Sequence, residues 1–155
     1  MTFDKFLEFL ESPKCFEQHD VSIIDTEGLQ HYIDQSDYYS YLSYIQKTIA
    51  EEKYTIKVEQ MERHWKWNDR TIHVFYNPKD GPTFDLHTDP IDIIIECKDG
   101  IKHMEVDGKE IRLLPGDKLS IPANTKHRAL NYEKALMASH AIGDTETITR
   151  ICKDD

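Results

Sequence analysis

The sequence predicts a mainly β fold, a single barrel or sandwich of short strands with α-helices confined to its N-terminal third. Three observations carry this. Apolar residues recur at helical spacing only before about residue 53, whereas from Tyr54 onward β-branched and aromatic residues alternate with polar ones. Gly- and Pro-containing turn sequences then punctuate the chain at short intervals, as in many-stranded barrels and sandwiches. The 155 residues, 39% of them hydrophobic, suffice for one core and contain no linker-like stretch. We therefore expect one domain over 1–155, with an N-terminal helical cap at 1–53 and a β-barrel at 54–155.

Phe3, Phe6, Leu7 and Leu10 share one helical face, and Ser12-Pro13 closes the run, so residues 3–11 read as a short amphipathic helix. Val21 to Ile24 reads as a strand. Tyr38, Tyr41, Leu42, Ile45 and Ile49 form a second apolar stripe, giving a helix from Asp37 to Glu52 with Asp37 as its N-cap. The expected strands are Tyr54–Met61, Thr71–Asn77, Phe84–Asp89, Ile91–Lys98, Ile101–Asp107, Lys109–Leu114, Lys118–Ile121, His127–Tyr132, Ala135–Ile142 and Thr147–Cys152. Between them, Asn77-Pro78-Lys79-Asp80-Gly81, Lys98-Asp99-Gly100, Asp107-Gly108 and Pro115-Gly116-Asp117 supply turn chemistry. Trp65 and Trp67 are expected to cover the core rather than line a groove.

Composition excludes several function classes. No apolar run approaches the length of a membrane span. Asp4, Glu8 and Glu11 are incompatible with a signal peptide, so the mature chain is expected to start at Met1. With 19 Lys plus Arg against 29 Asp plus Glu, the formal charge of -10 opposes binding to nucleic-acid phosphates. Cys15, Cys97 and Cys152 are odd in number and form no CxxC pair, which argues against a disulfide framework or a zinc site and for a cytoplasmic location.

Strand parity identifies residues with chemistry to do. Lys102 shares its face with Met104 and Val106, opposite His103, Glu105 and Asp107, so it points inward, where an ammonium must find an anion or lose its proton. His87 and Asp89 share a parity with Ile93, Ile95 and Cys97, provided Pro90 does not break the alternation. Two donors at that spacing can grip one metal ion from one side, and His127 would complete a 2-His-1-carboxylate set with open coordination positions. The plainer alternatives are hydrogen-bonded barrel histidines, an Asp89 that merely turns the chain before Pro90, and a Lys102 that snorkels to a barrel mouth. His140 and Ser139 lie late in the barrel with undecided parity. His19, His31, His64, His73 and His103 offer no ligand spacing.

Gly116-x5-Pro122-x-Asn124-x2-His127-x3-Asn131 resembles the second motif of the cupin superfamily, with Asn124 where that motif usually has Gly. The first motif is kept in part, as Gly81-x5-His87-x-Asp89, with Asp89 in place of a second His and Ile93 near the usual Glu. This HxD…H form is similar to JmjC-type 2-oxoglutarate oxygenases of the ribosomal-oxygenase and asparaginyl-hydroxylase kind. In that family a Lys or Arg lies fifteen residues after the first His, the position of Lys102 here. The resemblance spans roughly residues 71 to 143. It implies a double-stranded β-helix with Fe(II) on His87, Asp89 and His127. Lys102 would pair with the distal carboxylate of the cosubstrate 2-oxoglutarate, and the substrate hydroxylated would be a peptide or protein side chain or a small metabolite; Asn131 is expected either to hydrogen-bond within the cofactor pocket or to hold the His127 strand. Two other readings stay open: a metal-dependent cupin, an isomerase or dioxygenase, that uses no keto acid, and a non-catalytic cupin that binds a small acid. A homodimer through exposed β-edges is the default assembly.

Overall fold

The computed structural model describes residues 1–60 and 70–142. The N-terminal part runs α1 (Phe3–Leu10), α2 (Pro13–Gln18), β1 (His19–Ile24), β2 (Gln30–Tyr32) and α3 (Tyr38–Glu51). Strands β3 (Thr55–Gln60), β4 (Arg70–Asn77), β5 (Ile93–Gly100), β6 (Lys102–Val106), β7 (Lys109–Leu113), β8 (Lys118–Ile121), β9 (His127–Leu130) and β10 (Ala135–Ile142) follow. Each helix starts on a side chain that accepts from an otherwise orphaned backbone N–H: Thr2 from Lys5, Ser12 from Cys15, Asp37 from Ser40.

The strands form a seven-stranded sheet, β2-β1-β3-β4-β10-β5-β8, and a three-stranded sheet, β7-β6-β9. Every pairing between them is antiparallel. The Asp107-Gly108 turn joins β6 to β7 with φ of 51° and 77°, as a two-residue hairpin of the left-handed type requires.

The large sheet buries both of its faces, and this decides where a site can form. On one face, Ile56, Val58, Tyr76 and Leu136 pack against Phe6, Leu10, Tyr41 and Ile45 of the helices. On the other, Phe75, Ile93, Ile95, Cys97 and Met137 meet Met104 and Leu113 of the small sheet inside the barrel. A fully buried side chain of this size contributes about 1.5–3 kcal/mol, so the helical layer stabilises the barrel as a second core.

Several expectations are corrected. The stretch Phe84–Asp89 is not a strand: it is irregular and touches the ladder at a single bridge, His87 to His127. Pro82 and Pro90 flank it and neither can donate to a neighbouring strand. The next strand accordingly starts at Ile93 rather than Ile91. The segment 1–53 is not purely a helical cap, because β1 and β2 continue the barrel sheet outward from β3. Pro13, read as a stop, also opens α2 at its first turn, where its missing N–H costs nothing. His64, Trp65, Trp67 and the strand expected over Thr147–Cys152 lie outside the described residues.

Candidate metal centre

His87 and His127 are brought together by the one bridge that the irregular segment makes. The His87 N–H donates to the His127 carbonyl at 3.1 Å and the His127 N–H to the His87 carbonyl at 2.9 Å, which sets the two rings 4.4 Å apart. Each Nδ1 faces a backbone carbonyl, Asp85 at 2.7 Å for His87 and Thr125 at 2.9 Å for His127. A carbonyl only accepts, so both Nδ1 atoms carry the hydrogen, and Nε2 is the atom each ring can offer to a metal. Asp89 Oδ2 lies 3.0 Å from Nε2 of His127 and 3.8 Å from Nε2 of His87. The ligand atoms of the three residues fall within 4.8 Å of one another. The donor set, two oriented imidazoles and one carboxylate, fits a first-row divalent metal with open positions.

The loop at 122–125 holds the main chain that carries Asp89. Asn124 N–H donates to the Asp89 carbonyl, and Ala123 N–H to Asp92 Oδ1, both at 2.8 Å. Asn124 adopts φ 65°, the left-handed region that Asn tolerates better than most residues, which accounts for an Asn in a position where Gly is usual.

The triad sits on the wall of a cavity of about 330 Å³, otherwise lined largely by apolar side chains such as Phe75, Phe84, Ile93 and Met137. Of the triad, His127 is almost covered, while the His87 and Asp89 side chains are 41% and 37% exposed, so the centre faces the cavity from its open side.

Lys102 is fully buried, as its parity requires, but it does not line this cavity. Nζ donates to Asn77 Oδ1 at 2.7 Å and to Asn131 Oδ1 at 2.8 Å, and of these partners Asn77 reaches the cavity wall. Burial pushes the Lys102 ammonium down to about 7. Asn131 is thus tied to Lys102, and its Nδ2 donates to the Gly81 carbonyl at 2.9 Å. The register of β10 resolves the late barrel: Ser139 turns to the cavity, and His140 lies on the opposite face, 3.4 Å from Glu96.

Strand parity also hid a polar group that the sequence reading passed over. In β3, Thr55 and Lys57 line the cavity together with His73 and Asn77 of β4. Their alternation with Ile56 and Val58 reads as a strand with a wet face, yet here the polar face is the barrel interior and the apolar face lies under the helices. Lys57 is 8% exposed, and burial lowers its pKa against the pull of Glu59. Its Nζ lies 5.9 Å and 5.7 Å from the ring centres of Phe75 and Phe84. Such contacts contribute about 0.5–2 kcal/mol, less than the several kcal/mol that burial of an ion costs. Glu59 is engaged elsewhere, 3.0 Å from His73 Nε2 and accepting from Tyr32 Oη at 2.9 Å, and His73 first among its neighbours holds it down to about 2.

No family model matches the chain, and no curated protein matches it. Among solved structures, a conserved protein of unknown function from Streptococcus pyogenes superposes with a TM-score of 0.50 at 20% identity, over 59% of this chain and 75% of that one. A cupin superfamily protein from Desulfitobacterium hafniense gives 0.50 at 19% identity over 58% and 78%. A cupin-like protein from Thermotoga maritima gives 0.51 at 15% over 58% and 69%. At these identities the likeness is one of fold. With its two antiparallel sheets, its N-terminal helices and these neighbours, the chain has the double-stranded β-helix fold of the cupins.

Proposed function

We propose that the protein is an Fe(II)- and 2-oxoglutarate-dependent oxygenase that hydroxylates a small molecule or a peptide side chain. The observation that carries this reading is the convergence of His87, Asp89 and His127 on one wall of an apolar cavity. Two imidazoles and one carboxylate on one face are the donor set of non-haem Fe(II) oxygenases, with positions left for two oxygens of a keto acid and for dioxygen. Bound there, Fe(II) would supply the redox chemistry that turns 2-oxoglutarate and O2 into succinate and CO2 while a substrate C–H becomes C–OH.

The chain's own contribution is placement and exclusion of water. The carbonyls of Asp85 and Thr125 orient the two imidazoles, and the 122–125 loop holds the main chain of Asp89. Lys102 has three donors when charged, of which Asn77 and Asn131 take two, leaving one for the distal carboxylate of the keto acid at the Asn77 end of the cavity. Asn131 serves this cosubstrate site by holding Lys102. Cys15 and Cys97 are buried free thiols, which supports a reducing, cytoplasmic setting.

A second reading is favoured by one observation. Lys102 stands behind the cavity wall with two amide partners already in place, as suits a cupin that uses its metal without a keto acid. Anaerobic titration of the apo-protein with Fe(II) and then 2-oxoglutarate separates the two. The oxygenase gives the weak visible charge-transfer band of a chelated keto acid, and Asp89→Ala removes it. Iron binding with no band on adding 2-oxoglutarate refutes the oxygenase and leaves the second reading.

No helix among the described residues is long and apolar enough to cross a membrane.

A further inference from the structure

The cavity contains one feature that the metal centre does not use. Lys57 brings an ammonium into a space walled chiefly by apolar side chains, and among the described residues no carboxylate lies within ion-pair distance of it. The faces of Phe75 and Phe84 attract a cation but accept no conventional hydrogen bond from it. The nearest acid along its own strand, Glu59, is already held by His73 and Tyr32. A buried cation in this position is completed by an anion that enters from outside.

Its place relative to the triad gives the anion a body. Phe84 neighbours both, its ring centre 5.7 Å from Lys57 Nζ and 6.4 Å from the His87 ring centre. A molecule anchored at Lys57 can follow Phe84 within the same cavity toward His87. Apolar side chains, Ile93 and Met137 among them, line the same cavity and reward a hydrocarbon chain more than a polar one.

We infer that the substrate of this cavity is a small carboxylic acid with an apolar body, its carboxylate held by Lys57 and its hydrocarbon part presented to the His87, Asp89 and His127 centre. As a statement about what is oxidised it rests on the oxygenase reading; as a statement about what binds it stands on the cavity alone. Lys57 selects acids over their amides and alcohols, and Lys102, on the far side of Asn77, is left for the cosubstrate.

The test uses the full chain, metal-free, with methyl-labelled methionine, because Met104 and Met137 line the cavity and report its occupancy. Hexanoate, 4-methylpentanoate and phenylacetate are each titrated beside the matching amide, into the wild type, Lys57→Met and Lys57→Arg. At least one acid is expected to bind about tenfold or more tightly than its amide, to lose that advantage in Lys57→Met and to regain most of it in Lys57→Arg. Lys57→Met puts an apolar chain of similar length into an apolar cavity, so it should fold with an equal or higher Tm, which thermal unfolding checks beforehand. Titration with 2-oxoglutarate is the second arm. If that acid alone depends on Lys57, then Lys57 holds the cosubstrate and the substrate assignment is overturned; if no acid depends on it, the inference is overturned outright. Mn(II) retention, followed by its electron paramagnetic resonance signal, reports on the triad separately. Acid binding that depends on Lys57 in a protein unable to hold Mn(II) removes the oxygenase and keeps the acid site.

Discussion

Nζ of Lys102 donates to Oδ1 of Asn131 at 2.8 Å, and the other end of the same amide donates to the Gly81 carbonyl. The hydrogen bond thus reaches beyond its two residues. Asn131 follows the strand that carries His127, and Gly81 opens the irregular segment that carries His87. From the other side, Lys102 also binds Asn77, whose Nδ2 donates to Thr55 Oγ1, and that hydroxyl donates in turn to the Pro82 carbonyl. Two chains of hydrogen bonds from one buried lysine therefore pin the segment that a strand ladder leaves loose.

Asn131→Ala should accordingly weaken the metal centre without touching a ligand. Removing the amide leaves a buried Lys102 donor unpaired, at roughly 1–3 kcal/mol, and releases the partly covered Gly81 carbonyl. Looser placement of the segment that carries His87 should lower the affinity for metal, by less than the about 10–100-fold that losing a direct partner of a ligand costs. Unfolding by denaturant and Mn(II) titration measure the two effects; a variant with normal stability and normal affinity would show that the network positions nothing.

The same network makes stability depend on pH with a definite sign. Burial takes the Lys102 pKa from 10.5 to about 7, so between those values the unfolded chain binds the proton that the folded chain has released. Stability therefore rises with pH across this window, by up to about 1.4 kcal/mol per pH unit from this group, and the contribution levels off above 10.5. Lys57, lowered in the same direction, adds to the slope in the wild type. Subtracting the pH profile of Lys102→Met isolates the Lys102 part, and a flat difference between pH 7.5 and 9.5 would contradict the assignment.

How much of this was legible in the sequence depends on what each residue's neighbours do. The convergence of His87, Asp89 and His127 was readable because few residue types can share a metal ion, and the inward parity of Lys102 followed from Met104 beside it. The form of the segment bearing His87 was not, because two prolines suppress a ladder that the local pattern favours. Lys57 was hidden for a different reason. Alternation reports that the two faces of a strand differ, and says nothing about which one is dry; in β3 the helices α1 and α3 take the apolar face, and the polar face becomes the cavity wall. The added helix α2 and strand β2 escaped because each is six residues or fewer, too short for a period to show.

Gly100 is expected to tolerate no side chain. It closes β5 at φ 71°, and a Cβ there would lie 2.1 Å from the Lys134 carbonyl oxygen and 2.9 Å from Phe3 Cζ. Gly100→Ala thus combines left-handed backbone strain of about 1–2 kcal/mol with a clash against main chain that has no rotamer to yield. A loss of more than about 2 kcal/mol in denaturant unfolding is expected. Gly108→Ala is the control, since its φ is 77° with nothing within 4 Å of the added atom, and it should cost only the strain. Equal losses in the two variants would mean that β5 and the 134 carbonyl do not approach as described.

Metal addition should stabilise the wild type through the triad alone. A ligand that binds only the folded state adds RT ln(1 + [L]/Kd), about 2.7 kcal/mol at a hundredfold excess over Kd. For a domain of this size that raises Tm by roughly 5–11 °C. Asp89→Asn keeps the side-chain shape and removes the charge, so most of the rise should vanish; His73→Gln, in the same cavity but outside the triad, should retain it. The comparison matters because His73 already has Glu59 at 3.0 Å and together they present a second imidazole and carboxylate to a divalent ion. A Tm rise that survives Asp89→Asn but fails in His73→Gln would place the metal on the Glu59 and His73 pair, and would move the reacting centre from the His87 wall of the cavity to the wall that carries Lys57.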